Sequence, residues 1–419
     1  LIQNIVFRYK KDDYIIEAHR QENPVNFKYI RILRTFLWPI GLWPGEEFGE
    51  KTPLLVLINR WTGPWFDIAA GVGGIYFIST KGSTLPFMMQ GHLYITLFMS
   101  AITFVRKTLP LYQGYNNMIR RYINDLHLAH FKHKGEYYNE VVFSLTGMVG
   151  ATCLFNIIPL YVNYKNGIFQ DFGNYENKTI AFSVYYEFPG IHLEDAFITV
   201  TLLNWFLSYG CAVANVVIDI FMFLVIFQLI GHVLILNHNL IKVNDLVNRD
   251  TESDVECIMF NEEENLKVNK QLKECVDHHI FIISFAEDMS NLFGPLLACA
   301  FVFHLVSICL LLLQLSQGGN ESLLRYGIII ELVLSQLFEI SVIFEVLGIQ
   351  SEKLSMAAYA TPWQRMSSSN RRLVYIMLQR MQRPIHVTAM GMADVGVRTM
   401  AGILKTTFSY FTFLSSMEI

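Results

Sequence analysis

Seven apolar stretches separated by polar, charged connections divide this chain, at about 54–79, 87–112, 138–162, 196–236, 281–316, 324–349 and 385–417. A helix needs about 20 apolar residues to cross a hydrocarbon core of ~30 Å, so each stretch is long enough to be a membrane span. The fourth would reach about twice the membrane thickness at ~1.5 Å per residue. Helices of that length are expected to project beyond the bilayer and pack there as a stalk. The pattern predicts an all-α, seven-transmembrane helical bundle.

Charge then orients the bundle. The segment 1–53 carries Arg8, Lys10, Lys11, Arg20, Lys28, Arg31, Arg34 and Lys51. Arg106, Lys107, Arg120, Arg121, Lys132 and Lys134 fall between the second and third spans. Lys242, Arg249, Lys267, Lys270 and Lys273 fall between the fourth and fifth, and Lys353, Arg365, Arg371, Arg372, Arg380 and Arg383 between the sixth and seventh. The alternate connections hold only Lys81, Lys165, Lys178 and Arg325. Cytoplasmic loops carry the Lys and Arg excess, so the N-terminus is expected inside and the C-terminus outside, with no cytoplasmic tail. The glycan acceptor patterns Asn177-Lys-Thr179 and Asn320-Glu-Ser322 both fall in connections that this rule places outside. The expected organisation is a cytoplasmic N-terminal and re-entrant segment (1–53), six spans with a ligand pocket (54–349), a cytoplasmic anchor connection (350–384) and a pore-lining seventh span (385–419).

Before the first span, Trp38-Pro39 and Trp43-Pro44 suit either a re-entrant interfacial segment or an ordinary juxtamembrane linker. Composition fits a polytopic membrane protein: 53% of the 419 residues are hydrophobic and 16% charged, against ~25% charged in soluble domains. The net charge of −4 points to no partner. No basic patch with interleaved aromatics supports nucleic-acid binding. Of the six cysteines, Cys153, Cys211, Cys299 and Cys309 fall in apolar runs and Cys257 and Cys275 in a polar, acidic loop, so no disulfide framework is expected.

Signals for catalysis are weak. There is no phosphate-binding glycine loop, GxSxG or HExxH, so neither an enzyme nor a cofactor is expected. His127, His130 and His133 recur every three residues, but that spacing swings each ligand ~60° backward on a helix. A solvated face is the better account than a metal site. The acidic run 245–264 is expected to be a loop. Ionisable groups inside spans are costly in lipid and should face protein or water. These are Arg60 and Asp67, two turns apart; Asp219; Glu331, Glu339 and Glu345; and Asp394, Arg398 and Lys405. Most are expected to pair within the bundle.

Two groups of residues suggest function. In the last span Gly402, Thr406 and Ser409 share a stripe that continues to Phe413 and Met417. A wettable stripe ending in large apolar residues suits a pore that closes by dewetting. In the outer halves of spans two, three, four and six, Met88, His92, Tyr94, Ile95, Phe98, Thr152, Phe155, Trp205, Phe206, Tyr209, Tyr326 and Ile330 form an aromatic, apolar set with few polar groups. That composition suits a small-molecule pocket, with ordinary helix packing as the competing account.

Longer motifs carry a resemblance. EVLGIQSEKLSMAAYATPW (345–363), RRLVYIMLQRMQRPIHVTA (371–389) and GILKTTFSYFTFL (402–414), in that order, resemble the C-terminal third of insect odorant receptors. GHLYITLFMS (91–100), FNIIPLYVNY (155–164), SVYYEFPG (183–190) and NWFLSYGCA (204–212) resemble their moth pheromone-receptor branch. The resemblance implies a subunit of a ligand-gated, non-selective cation channel in the plasma membrane of sensory neurons, tetrameric with the odorant co-receptor. It also implies a cytoplasmic anchor of inner helix ends, a pore lined by the seventh span with Phe413 and Met417 at the gate, and a long aliphatic volatile as ligand. Head-group contacts would fall to His92, Tyr94, Thr152 and Tyr209. A G-protein-coupled receptor would need an outside N-terminus and a DRY or NPxxY motif. A transporter would be expected to show inverted repeats.

Overall fold

The computed structural model describes residues 28–126, 134–169, 180–189, 197–245, 259–317 and 320–417. Among them the α-helices are α1 Lys28–Leu37, α2 Leu54–Lys81, α3 Phe87–Thr108, α4 Gln113–Arg121, α5 Lys134–Lys165, α6 Phe197–Asp245, α7 Glu262–Gln317, α8 Asn320–Tyr359, α9 Ser368–Met381 and α10 Val397–Met417. Each apolar stretch of the sequence falls on one long helix: α2, α3, α5, α6, α7, α8 and α10. By length and apolarity alone, α5, α6, α7 and α8 each suffice to cross a membrane. The other three, of 28, 22 and 21 residues, are long enough but carry charged side chains.

The central helix is α6, whose buried residues recur on every face from Val213 to Val243. A helix apolar all round belongs in an interior, and α6 packs against α3, α5, α7 and α8. Helices α6, α7 and α8 all overrun the expected spans at the end remote from the α5–α6 connection, and there they form a stalk with α9.

The start of α7 corrects the sequence reading. Glu262, Glu263 and Glu264 form its first turn, and carboxylates there complement the helix dipole. The Asn261 amide N–H donates to Glu264 Oε2 at 2.9 Å, and the Glu264 N–H donates to Asn261 Oδ1 at 2.8 Å. This is a reciprocal capping box. Residues 262–281 are therefore helix and not a loop, and Cys275 is a buried stalk residue. Residues 246–258, with Cys257, lie outside the described residues, as do His127, His130 and His133. The other five cysteines are free.

The last span is shorter than 385–417. Residues 388–394 form a small antiparallel ribbon, β1 Thr388–Ala389 with β2 Ala393–Asp394, turned by Met390 and Gly391 at φ 54° and 68°. The ribbon docks on α7, where Ser290 Oγ accepts the Thr388 N–H at 3.1 Å. Then α10 begins under a cap from another helix: Glu345 Oε2 of α8 accepts the Val397 N–H at 3.0 Å. A side chain at Gly396 would collide with that carboxylate.

The segment before α2 folds back onto the bundle. Gly41, at φ 75°, lies so close to α2 that a Cβ would sit 2.6 Å from Arg60 Cβ. Arg60 donates to the carbonyls of Gly41 and Trp43 and pairs with Glu46 at 3.3 Å. It does not pair with Asp67, which shares its face but lies two turns, ~10 Å, further along α2 and pairs with Lys107 instead. Trp43 is buried and donates to Glu50.

The stalk holds His232 of α6 against His278 of α7, with Nδ1 and Nε2 2.8 Å apart. Burial first, then the neighbouring His232 and His279, push the His278 imidazole down to about 4. Burial, then Arg380, does the same for His279. Above pH ~6.5 both rings are neutral folded or unfolded and add no pH dependence. As pH falls from ~6.5 toward 4 the unfolded chain takes up protons that the stalk excludes, so stability drops. Thermal unfolding of the detergent-solubilised protein should show Tm falling across that window, and the fall should be shallower in His278→Gln.

Candidate ligand cavity and pore helix

A partly open cavity of about 290 Å³ lies among the helices. Its walls are Ala70, Gly71 and Gly74 of α2; His92, Thr96, Met99, Ser100 and Thr103 of α3; Ala151, Thr152 and Phe155 of α5; Leu207, Ser208, Cys211 and Ala212 of α6; Phe303 and Leu311 of α7; and Ile329, Leu332, Val333 and Gln336 of α8. Residues 92, 96, 99 and 103 follow the i, i+4, i+7, i+11 spacing of one helix face. So do 208 and 212. Small side chains dominate these stripes, and they leave the space that larger ones would fill.

The roof is the segment 180–189, through Val184 and Tyr185. Several side chains pin its backbone. Asn163 Nδ2 donates to the Ala181 carbonyl and Asn163 Oδ1 accepts the Ala181 N–H, both at 2.8 Å. Asn204 Nδ2 donates to the Val184 carbonyl at 3.1 Å. His92 Nε2 reaches the Ser183 carbonyl at 2.8 Å; a carbonyl only accepts, so this nitrogen carries the proton. Lys81 pairs with Glu187 at 3.4 Å. Asn163 and Asn204 are buried, and a buried amide is retained at low cost only when it is hydrogen-bonded.

The floor is ionic. Arg106 of α3 donates to Asp219 Oδ1 of α6 at 2.8 Å and to the Asn215 carbonyl at 2.6 Å. Gln336 of α8 donates to Asp219 Oδ2 at 2.6 Å. Lys107 pairs with Asp67 of α2 at 2.9 Å, and Asn215 donates to Thr103 at 3.0 Å. All four charged side chains are buried. This corrects the charge tally: Arg106 and Lys107 lie inside the bundle and are neutralised there, although the remaining asymmetry keeps its sign. Asp67, Thr103 and Gln336 belong both to the floor and to the cavity wall, so an occupant would touch groups that tie α2, α3, α6 and α8 together.

Of the residues expected to line a pocket, the structure brings His92, Ile95, Thr152 and Phe155 to the cavity. Tyr94, Phe206 and Tyr209 are exposed on outward faces, because helix geometry rotates them by ~80° to ~180° from the stripes that line it. Phe98 turns to an edge-on contact with Phe303 at 5.6 Å, and Phe206 to one with Phe66 at 5.9 Å. Tyr326 is buried beside His92, ring centroids 6.4 Å apart, but off the wall. Trp205 and Ile330 are half-buried off the wall, with Ile329 taking the place of Ile330. The side chain of Met88 lies outside the described residues. Asp67, Gly71, Gly74, Thr103, Ser208, Cys211 and Gln336 were missed. Their signal is a helical stripe of small and hydroxyl residues, which a search for aromatics overlooks.

In α10, Ile403 and Thr407 are buried, with Met400, Leu404 and Phe411 half-buried beside them. The opposite face is bare and carries Gly402, Lys405, Thr406, Ser409 and Phe413. The hydroxyls of Thr406 and Ser409 donate to the carbonyls of Gly402 and Lys405 at 2.8 and 2.9 Å. Phe413 is 60% exposed; the side chain of Met417 lies outside the described residues. No cluster of metal-ligating side chains occurs among the described residues. Asn177 lies outside them, and Asn320 is the first residue of α8.

Seven long helices packed around a largely apolar cavity make a seven-transmembrane helical bundle. A family model described as 7tm Odorant receptor matches residues 114–408, and the chain belongs to that family of receptors. Odorant receptor 13a of Drosophila melanogaster is 28% identical over 162 residues, 35% of this chain and 39% of that one. Odorant receptor Or2 of Anopheles gambiae is 26% identical over 145 residues, 34% and 38% of the two chains. The matched stretch thus spans less than half the length of these curated relatives. The structure of the insect olfactory receptor OR5 from Machilis hrabei in complex with eugenol has a TM-score of 0.68 at 12% identity, covering 94% of this chain and 100% of that one. At that identity the likeness is one of fold, and it extends over the whole seven-helix architecture.

Proposed function

We propose that this chain is the ligand-binding subunit of a ligand-gated, non-selective cation channel that assembles with the odorant co-receptor in the plasma membrane. The observation that carries this reading is the cavity: about 290 Å³, roofed by a pinned segment, walled by aliphatic and small residues and floored by polar ones. Burying an alkyl chain there contributes up to ~0.8 kcal/mol per methylene, less ordering costs. The ligand class is a long aliphatic acetate, aldehyde or alcohol, its oxygen directed to the hydroxyl and amide groups of Thr103, Ser208 and Gln336. That the OR5 neighbour is described with eugenol supports small-molecule binding within this fold.

The bare stripe of α10 supports its role as the pore-lining helix, with Phe413 and Met417 as the constriction. A ligand opens the channel only by favouring the open arrangement over the closed one. The cavity floor supplies a route, since Gln336 of α8 joins Asp219 of α6, and Glu345, further along α8, caps α10. The N-terminus is inside, with Asn177 and Asn320 as glycan acceptors outside. An N-terminal epitope tag should stay hidden from antibody on intact cells; surface labelling would reverse the topology.

The test is whole-cell recording from cells expressing the chain with and without the co-receptor, challenged with decyl, dodecyl and tetradecyl alcohols, aldehydes and acetates. Cation current is expected only with the co-receptor, and potency should change with chain length. Silence to the whole panel would overturn the assignment.

A further inference from the structure

A second, smaller cavity of about 50 Å³ adjoins the first. It shares His92, Ala151, Phe155, Ile329 and Leu332 with the main cavity and adds Leu154, Ile158, Pro159 and Ser183. It occupies the seam between α5 and α8, two helices that make almost no direct packing contact. At the outer edge of the seam, Leu154 and Leu332 are 44% and 42% exposed, so the same leucine that lines both cavities also reaches the flank of the bundle. Gly147 and Gly150, on the same exposed face of α5 about two turns and one turn before Leu154, leave that flank uncovered. Pro159 lies inside α5 at the seam, where it removes a helix hydrogen bond and permits a bend. At the inner edge stand His92 and Phe155, ring centroids 6.0 Å apart.

From this geometry we infer that the α5–α8 seam is a lateral portal through which an apolar ligand passes between the lipid and the main cavity. The seam faces the flank of a membrane helix bundle, where the surrounding solvent is hydrocarbon. The roof is pinned to four helices and the floor is crossed by ion pairs. An aliphatic molecule dissolved in the membrane meets Leu154 and Leu332 first, then turns past Phe155 and His92. The inference rests on the function proposed above.

A portal differs from a wall in its kinetics. Narrowing it raises the barrier in both directions, so association and dissociation slow together while affinity stays put. Leu154→Trp and, separately, Ile158→Trp, both at residues that line only the smaller cavity, should slow both onset and washout of the current evoked by the most potent panel compound, by about tenfold. The half-maximal concentration should stay within about twofold. Surface biotinylation checks delivery. If a tryptophan variant fails to reach the surface, Leu154→Ala carries the test in the opposite sense, with faster onset and washout. Unchanged kinetics in a delivered variant, or a shifted half-maximal concentration without matched slowing, would overturn the portal while leaving the receptor assignment standing. A wild type silent to the whole panel would instead overturn the assignment and the portal with it.

Discussion

Asp219→Ala should remove most folded receptor from the cell surface. Asp219 is fully enclosed and accepts from Arg106 at 2.8 Å and Gln336 at 2.6 Å. Its loss leaves the buried Arg106 guanidinium between α3 and α6 without a counter-charge. Breaking a buried ion pair by removing one partner costs ~3–5 kcal/mol, a large part of a typical folding free energy of ~5–15 kcal/mol. Surface biotinylation and the detergent Tm should both fall. The double variant Arg106→Met with Asp219→Leu should recover much of the loss, because apolar residues of similar volume tolerate that site without an orphaned charge. A single variant as stable and as well delivered as wild type would show that the pair contributes little.

Phe413→Ala should raise the current that flows without ligand. Phe413 lies on the bare face of α10, in line with Ser409, Thr406 and Gly402, and its ring is the bulky apolar element at the end of a wettable stripe. If that ring dewets the closed pore, removing it lowers the barrier to ion passage. A reduction of ~1.4 kcal/mol would raise basal conduction about tenfold. Basal current in ligand-free solution and the reversal potential under changed cations are the readouts. Unaltered currents in a delivered Phe413→Ala receptor would remove this residue from the constriction.

The contrast between these residues shows what was legible. Each apolar run contributed one long helix, because a long apolar segment in lipid has few ways other than a helix to satisfy its backbone. Asp219 was recognisable as a buried charge in need of a partner, but Arg106, far away in sequence, was not recognisable as that partner. At the end of a span it looks like any other cytoplasmic arginine. The helical nature of the Asn261–Glu264 start was written in its capping box and obscured by the acidic run around it. The short β1–β2 ribbon was hidden within an apolar run, because apolarity does not distinguish a helix from a docked hairpin.

The cavity was half legible, for a physical reason. Tyr94, Phe206 and Tyr209 drew notice by size, yet large side chains fill space and tend to occupy packed or outward positions. The open volume lies where Gly71, Gly74, Ser100, Thr103, Ser208 and Cys211 fall on facing stripes. Which faces meet depends on the rotation of each helix, and that follows from tertiary contacts such as Asp67–Lys107 and Gln336–Asp219.

The most direct measurement is a cryo-EM map of this chain with the co-receptor in lipid nanodiscs containing dodecyl acetate. The expected map shows elongated density between Phe155, Ser208 and Gln336, and α10 turned so that Thr406, Ser409 and Phe413 border a central opening. A map with that cavity vacant and α10 enclosed by lipid, away from any opening, would contradict both the binding site and the channel.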